Sequence, residues 1–202
     1  MYIENSEFKN PHQPLNDEDF IRGDIPMTKA ETRWLSVQKL GIQPNDIVYD
    51  IGAGTGSVAV EMARKAFNGF VYAVEMKAEA CDLINQNKLR HGAYNLDIIH
   101  ARAPDGINEL PAPDKVFIGG SSGSMAEILE ALTAKNPLLK IASNAITLQS
   151  ISRIIEGYET CGLDDTDIIC VNIAKSKKIK DYDMMAAQNP VYIITGQRGV
   201  NK

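Results

Sequence analysis

The sequence is poor in the residues that mark several large functional classes. Among 202 residues there are three cysteines, Cys81, Cys161 and Cys170, with no C-x-x-C pair. An odd, widely spaced set argues against a disulfide framework and fits reduced thiols in a cytoplasmic protein. The three histidines, His12, His91 and His100, lack metal-ligand spacing. No G-x-S-x-G elbow and no H-E-x-x-H pair occurs, which removes the enzyme classes built on those motifs. Basic residues are not in excess. The formal net charge is -5, against a general affinity for nucleic acid, which needs clustered Lys and Arg. No apolar run approaches the roughly 20 residues that cross a bilayer. The opening Met1-Tyr2-Ile3-Glu4-Asn5 is polar and acidic, so neither a membrane span nor a signal peptide is expected.

What remains is the composition of a globular protein, 44% hydrophobic and 23% charged, too apolar for a disordered chain and sized for one core. Residues 1–25 are polar and broken by Pro11 and Pro14, and read as an arm. Residues 26–202 read as a single domain. Thr28 and Glu31 match a helix capping box, followed by a stripe of Trp34, Val37 and Leu40, with Gly41 and Pro44 as stops. Strands are expected at 47–51, 70–74 (ending on Glu75), 96–99, 116–118, 139–145, 168–173 and 191–194. Between them lie helical faces: Val58, Met62 and Ala66; Ala80, Leu83, Ile84 and Asn87; Met125, Ile128, Leu129 and Leu132; Leu148, Ile151, Ile155 and Tyr158. Gly92 sits where a helix end wants positive φ.

Strands alternating with helices of this length imply an α/β fold with a mostly parallel sheet and helices on both faces. The last two strands lack a helix between them. Paired as a hairpin, they complete a seven-stranded, Rossmann-like sheet with one antiparallel strand, and Lys175, Lys177, Lys178 and Lys180 fall in the hairpin loop.

Asp50-Ile51-Gly52-Ala53-Gly54-Thr55-Gly56 lies between a strand and a helix. Glycines there let the backbone turn sharply and let a ligand lie on bare peptide groups, while the helix N-terminus offers N–H donors and positive potential. That suits the carboxylate of S-adenosylmethionine, with Asp50 placed to hold its amino group. Dinucleotide sites use G-x-G-x-x-G, whose third glycine falls where this chain has Ser57. The G-x-G-x-G spacing therefore favours the methyl donor. Glu75, at the end of the second strand, is placed to accept hydrogen bonds from both ribose hydroxyls. Thr28 is first a helix cap and second a ligand contact. Ala103 leaves room for an adenine, and Gly119-Gly120-Ser121-Ser122-Gly123 follows strand four at the carboxyl edge of the sheet, suggesting that something bulky passes close to its backbone. Cys81 is expected to pack within its helix.

With these residues placed, the chain resembles the decarboxylating precorrin-6B methyltransferases of cobalamin biosynthesis, the CbiT family. The resemblance spans Pro26 to the final strand. It rests on Pro26-Met27-Thr28-Lys29 with Glu31 and Arg33, the glycine loop, Ala103-Pro104, Val116-Phe117-Ile118-Gly119-Gly120-Ser121, Asn144-Ala145-Ile146-Thr147-Leu148 and Asn189-Pro190-Val191. It implies methylation of carbon 15 of a reduced tetrapyrrole and loss of carbon dioxide from the acetate on carbon 12. Donor contacts are implied on Thr28, Gly52, Ala53, Gly54, Thr55, Gly56, Glu75 and Ala103. Acceptor contacts are expected on Gly119, Gly120, Ser121, Asn144 and Arg33, and a homotetramer is implied. A substrate with many carboxylates calls for cations, and Arg22, Lys29, Arg33 and Arg102 are the candidates. Two departures stand out: Asn136-Pro137-Leu138-Leu139 replaces a proline–glycine–glycine turn, and Arg102 stands where relatives carry an acid. No catalytic dyad is expected, and no metal. The rival readings are an RNA methyltransferase of the same fold, a non-catalytic nucleoside-binding subunit and, disfavoured by Ser57, a dehydrogenase.

Overall fold

The computed structural model describes residues 13–199. The start of the expected arm, with Met1 to Asn5, Pro11 and His12, lies outside the described residues. A first strand, β1 (Ile47–Ile51), follows helix α1 (Ala30–Leu40). The chain then alternates through α2 (Ser57–Lys65), β2 (Phe70–Glu75), α3 (Ala78–Arg90), β3 (Leu96–His100), β4 (Lys115–Ile118), α4 (Met125–Lys135), β5 (Lys140–Ala145) and α5 (Leu148–Thr160). It ends in four strands, β6 (Asp165–Val171), β7 (Ala174–Ile179), β8 (Tyr182–Ala187) and β9 (Val191–Gln197).

Seven strands form one sheet in the order β3-β2-β1-β4-β5-β9-β6. β1 to β5 run parallel, and β9 inserts antiparallel between β5 and β6. Alternation along β1 sends Val48 into one core and Tyr49 and Ile51 into another. The first core packs under α1, α2 and α3 through Val37, Leu40, Met62 and Ile84. The second packs under α4 and α5 through Ile128, Leu132, Ile154 and Tyr158. Strand order reverses between β1 and β4. In open α/β sheets a ligand crevice forms outside the carboxyl ends of the strands at such a point.

Several expectations are corrected. Thr28 and Glu31 do not form a capping box: the helix begins at Ala30 with Lys29 as its N-cap and no side-chain cap bond. The Thr28 carbonyl instead accepts from Arg33 Nη1 (2.7 Å), and Glu31 pairs with Lys175 (2.7 Å). Leu148 is 76% exposed, so the inner face of α5 is Ile151, Ile154 and Tyr158. The lysines are not in a loop joining β6 to β9. Lys175, Lys177 and Lys178 lie on β7, which pairs only with β8 in a separate hairpin, and Lys180 takes a left-handed turn position (φ 55°). Their strand was hidden because both of its faces are exposed, so it shows no apolar alternation. Residues before Pro26 are not loose either. Phe20 and Asp17 are buried, and Ile21 exchanges backbone bonds with the Asn87 amide (2.8 and 3.0 Å).

Candidate active site

The glycine loop joins the end of β1 to the start of α2, at the reversal of strand order. Gly52, Gly54 and Gly56 all have positive φ, 71°, 56° and 74°. Two of them are held to glycine by neighbours as well. A β-carbon on Gly52 would lie 2.5 Å from the Gly120 carbonyl oxygen, and one on Gly56 about 3.0 Å from Ile84. Gly56 N-caps α2, so the helix's free N–H groups face the loop.

The crevice has two lobes. The larger, about 580 Å³, is walled by Met27, Thr28, Lys29 and Thr32 on one side, by Asp50 and the loop 52–55 beneath, and by Asn144, Gln188 and Asn189 opposite. The smaller, about 260 Å³, is walled by Val74, Glu75, Arg102, Ala103 and residues 119–122. Pro26, Gly52, Gly54 and Gly119 border both. A long ligand lying across the glycine loop would enter both lobes. The smaller has the room and the acid suited to a nucleoside.

Glu75 is buried, and each of its oxygens takes one backbone N–H: Gly54 on Oε2 and Lys77 on Oε1, both at 2.9 Å. A carboxylate offers about four lone-pair directions, so two stay open to hydroxyl donors. Asp50 differs. It is 1% exposed, and neither oxygen has a hydrogen-bond partner. Burial, opposed by the nearby Ala59 N–H and reinforced by the charge of Glu75, pushes its carboxyl up to about 8. A cationic ligand group would supply the missing partner and draw off the proton. Loop, helix end, acid and orphaned carboxylate together suit a zwitterionic amino acid joined to a ribonucleoside, so the residues present fit S-adenosylmethionine.

Other sequence candidates fall in different places. Thr28 and Asn144 wall the larger lobe, Ser121 and Ala103 the smaller, and Gly119 borders both. A β-carbon on Gly119 would lie 3.2 Å from the Phe117 ring and 3.3 Å from the Gly52 carbonyl oxygen, whereas one on Gly120 would meet nothing within 4 Å. Arg33 is corrected: it reaches neither lobe. Its side chain is 0% exposed, bonded to the Leu15 and Thr28 carbonyls (2.8 and 2.7 Å) and to Asp17 (3.3 Å), with Glu61 3.9 Å away and Phe20 under the guanidinium. Arg22 is exposed and outside both walls. Arg102 Nη2 is occupied by the Ser122 carbonyl and Ser124 Oγ (3.2 and 3.3 Å). Lys29 walls the larger lobe, though its ammonium lies 3.6 Å from Asp17. Cys81 is half-buried, its Sγ 3.6 Å from the Glu75 carbonyl oxygen, and burial pushes its thiol up.

Sequence reasoning missed Asn87. It sits fully buried on α3 and donates to the carbonyls of Ile21 and Thr55 (3.0 and 2.9 Å), tying the N-terminal segment to the glycine loop. Asn87 fell on the apolar helical face, and a polar residue there was the available signal. Met27, Thr32 and Gln188 were also not singled out as lining residues.

The model of the precorrin methyltransferase domain matches residues 19–198. The chain belongs to the precorrin methyltransferase family. One relative, from Methanocaldococcus jannaschii, is named "Probable cobalt-precorrin-6B C(15)-methyltransferase (decarboxylating)"; it is 36% identical over 185 residues, 91% of this chain and 98% of that one. Among solved structures, the precorrin-6Y C5,15-methyltransferase of Geobacter metallireducens superposes with a TM-score of 0.86 at 36% identity, over 91% of this chain and 97% of that chain. The precorrin 8W decarboxylase of Methanobacterium thermoautotrophicum gives 0.84 at 31%, covering 92% of this chain and all of that one. The seven-stranded sheet, mostly parallel, is that of class I methyltransferases.

Proposed function

We propose that this precorrin methyltransferase uses S-adenosylmethionine to methylate carbon 15 of precorrin-6B, or of its cobalt form, with decarboxylation of the acetate on carbon 12. The observation that carries the donor assignment is the buried, unpartnered Asp50 carboxylate beneath a glycine-lined cleft. The acceptor rests on family membership.

In this reading Asp50 receives the donor's ammonium, the loop 52–56 and the α2 N-terminus receive its carboxylate, and Glu75 receives the ribose hydroxyls. Ala103, 9% exposed, leaves space for the adenine, and Thr28 closes the larger lobe. Bound S-adenosylmethionine supplies a methyl group already activated by its sulfonium. The protein therefore needs no general base for attack by an electron-rich ring carbon; it aligns the two reactants and excludes water. Residues 119–121 and Asn144 flank the acceptor. Arg33 has no place among these contacts, and Lys29 is the candidate cation for a peripheral substrate carboxylate.

The assembly is a homotetramer in this account. Support comes from the β7–β8 hairpin, which exposes Ile179, Tyr182, Met184 and Met185. Clustered apolar surface of this kind marks a protein contact. Three unpaired cysteines, one of them exposed, suit a reducing cytoplasm.

The test is to incubate the protein with methyl-labelled donor and precorrin-6B, with and without cobalt, and follow both label and carbon dioxide. Label in the tetrapyrrole with loss of its carboxyl is the expected result. Donor binding with neither change would point to the non-catalytic subunit, and label entering RNA to the rival enzyme.

A further inference from the structure

The described chain enters the domain beside a groove between α1 and α2. This groove, about 340 Å³, is lined by Trp34, Leu35 and Val37 of α1, by Glu61 and Lys65 of α2, and by Pro14. Both backbone polar groups of Leu15 are taken by groove residues. Trp34 Nε1 donates to its carbonyl and Glu61 accepts its N–H, each at 2.7 Å. Residues 1–12 precede this anchor and lie outside the described residues. Trp34 and Leu35 are only half-buried, so apolar wall is left for another group to cover.

We propose that the groove seats this chain's own N-terminal segment, with the Phe8 ring inserted between α1 and α2. Phe8 is the first aromatic residue upstream of Pro14. Six extended residues span about 20 Å, whereas the 11 residues of α1 rise only about 16 Å, so the ring can reach any part of the groove. An aromatic ring covers much apolar wall and can meet Trp34 edge to face. Pro11 and Pro14 stiffen the connection, so docking costs less conformational freedom. Glu7, next to Phe8, carries the charge opposite to Lys65 of α2. A segment tethered at the groove itself competes from an effective concentration on the order of millimolar, which a separate partner does not reach. The Leu15 carbonyl is shared by Trp34 and Arg33, and Arg33 also holds the Thr28 carbonyl. A seated ring therefore clasps the segment that continues into the wall of the larger lobe.

The experiment uses the full chain, in which Trp34 is the only tryptophan and so reports the groove alone. It compares wild type, Phe8→Ala, Phe8→Leu and Tyr2→Ala by Trp34 emission, acrylamide quenching and the rate of tryptic cleavage after Lys9. A ring seated about nine-tenths of the time slows that cleavage about tenfold relative to a free peptide of residues 1–12, because cutting tracks the open fraction. In Phe8→Ala the emission should move to the red, quenching should rise, and cleavage should reach the peptide rate. Phe8→Leu should restore most of each, and Tyr2→Ala should match wild type. Peptide 1–12 added to the Phe8→Ala protein should move the emission back, and the same peptide carrying Phe8→Ala should not. Emission and cleavage unchanged in Phe8→Ala overturn the proposal, and equal changes in Tyr2→Ala overturn the choice of Phe8. A smaller assembly for Phe8→Ala in light scattering also overturns it, since the ring would then sit on a second copy.

Discussion

Two segments border the same cleft and are built on opposite principles. The N-terminal strap, residues 13–28, is stitched to the domain by buried polar groups. Arg33 binds the Leu15 and Thr28 carbonyls and Asp17, Glu61 accepts the Leu15 N–H (2.7 Å), and Asn87 grips both polar groups of Ile21. The β7–β8 hairpin has every residue exposed and pairs only with itself, apart from the Lys175–Glu31 ion pair. Both regions reach the larger lobe, the strap through residues 26–28 and the segment leaving the hairpin through Gln188 and Asn189. Where the chain satisfies its buried polar groups it builds fixed scaffold. Where it leaves apolar or polar groups without partners, it presents surfaces for something else. Asp50 is the extreme case. Among the described residues, Glu31 and Arg33 each leave one buried atom without a hydrogen bond but have an ion partner, whereas both oxygens of Asp50 are unmet.

Breaking the strap should have the largest effect. Arg33→Ala strips Asp17 and Glu61 of their buried partner, leaving Lys29 beside the one and Arg64 beside the other, and removes the hydrogen bonds to the Leu15 and Thr28 carbonyls, so stability should fall by about 3–5 kcal/mol in urea unfolding. Donor affinity should weaken with it, because Thr28 loses its anchor. Asn87→Ala should cost about 1–3 kcal/mol and also loosen donor binding, since it frees the Thr55 and Ile21 carbonyls. A variant with strong donor binding after either change would show that the strap does not preorganise the cleft. On the hairpin, Lys175→Ala should cost at most about 1 kcal/mol and less in high salt, the pair being largely exposed. Smallest is the effect of Met185→Glu on protomer stability, within about 0.5 kcal/mol, yet light scattering should report a smaller assembly. An unchanged mass would remove the hairpin from the interface.

The contrast also explains what the sequence revealed. The glycine loop was legible because positive φ and close backbone approach demand glycine at fixed spacing, and Asp50 and Glu75 follow from their places at strand ends. The β-α alternation was legible because the parallel core strands are buried on both faces. Arg33 was misjudged as a charge at the cleft mouth. Its spacing from Ala30, Val37 and Leu40 put it on the buried helix face, but its partners Asp17 and Glu61 lie far away in sequence. The hairpin was misjudged because exposure on both sides erases the period-two signal. Thr28 had cap-forming chemistry, but the guanidinium of Arg33 took its carbonyl and the helix began later.

Asp50 offers the most direct test that unmet buried groups mark the ligand sites. In the donor-free fold it holds a proton between its ordinary value of 3.8 and about 8, so stability should fall as pH rises through that window, and Asp50→Asn should lose this slope. Binding a cation requires the proton to leave. Calorimetric titration of S-adenosylmethionine in buffers of different ionisation enthalpy should therefore show proton release near neutral pH. Affinity should rise about tenfold per pH unit below neutrality, and Asp50→Asn should bind weakly with no such dependence. Wild-type affinity that is flat with pH and free of proton release, or an Asp50→Asn variant that binds as well as wild type, would contradict the account.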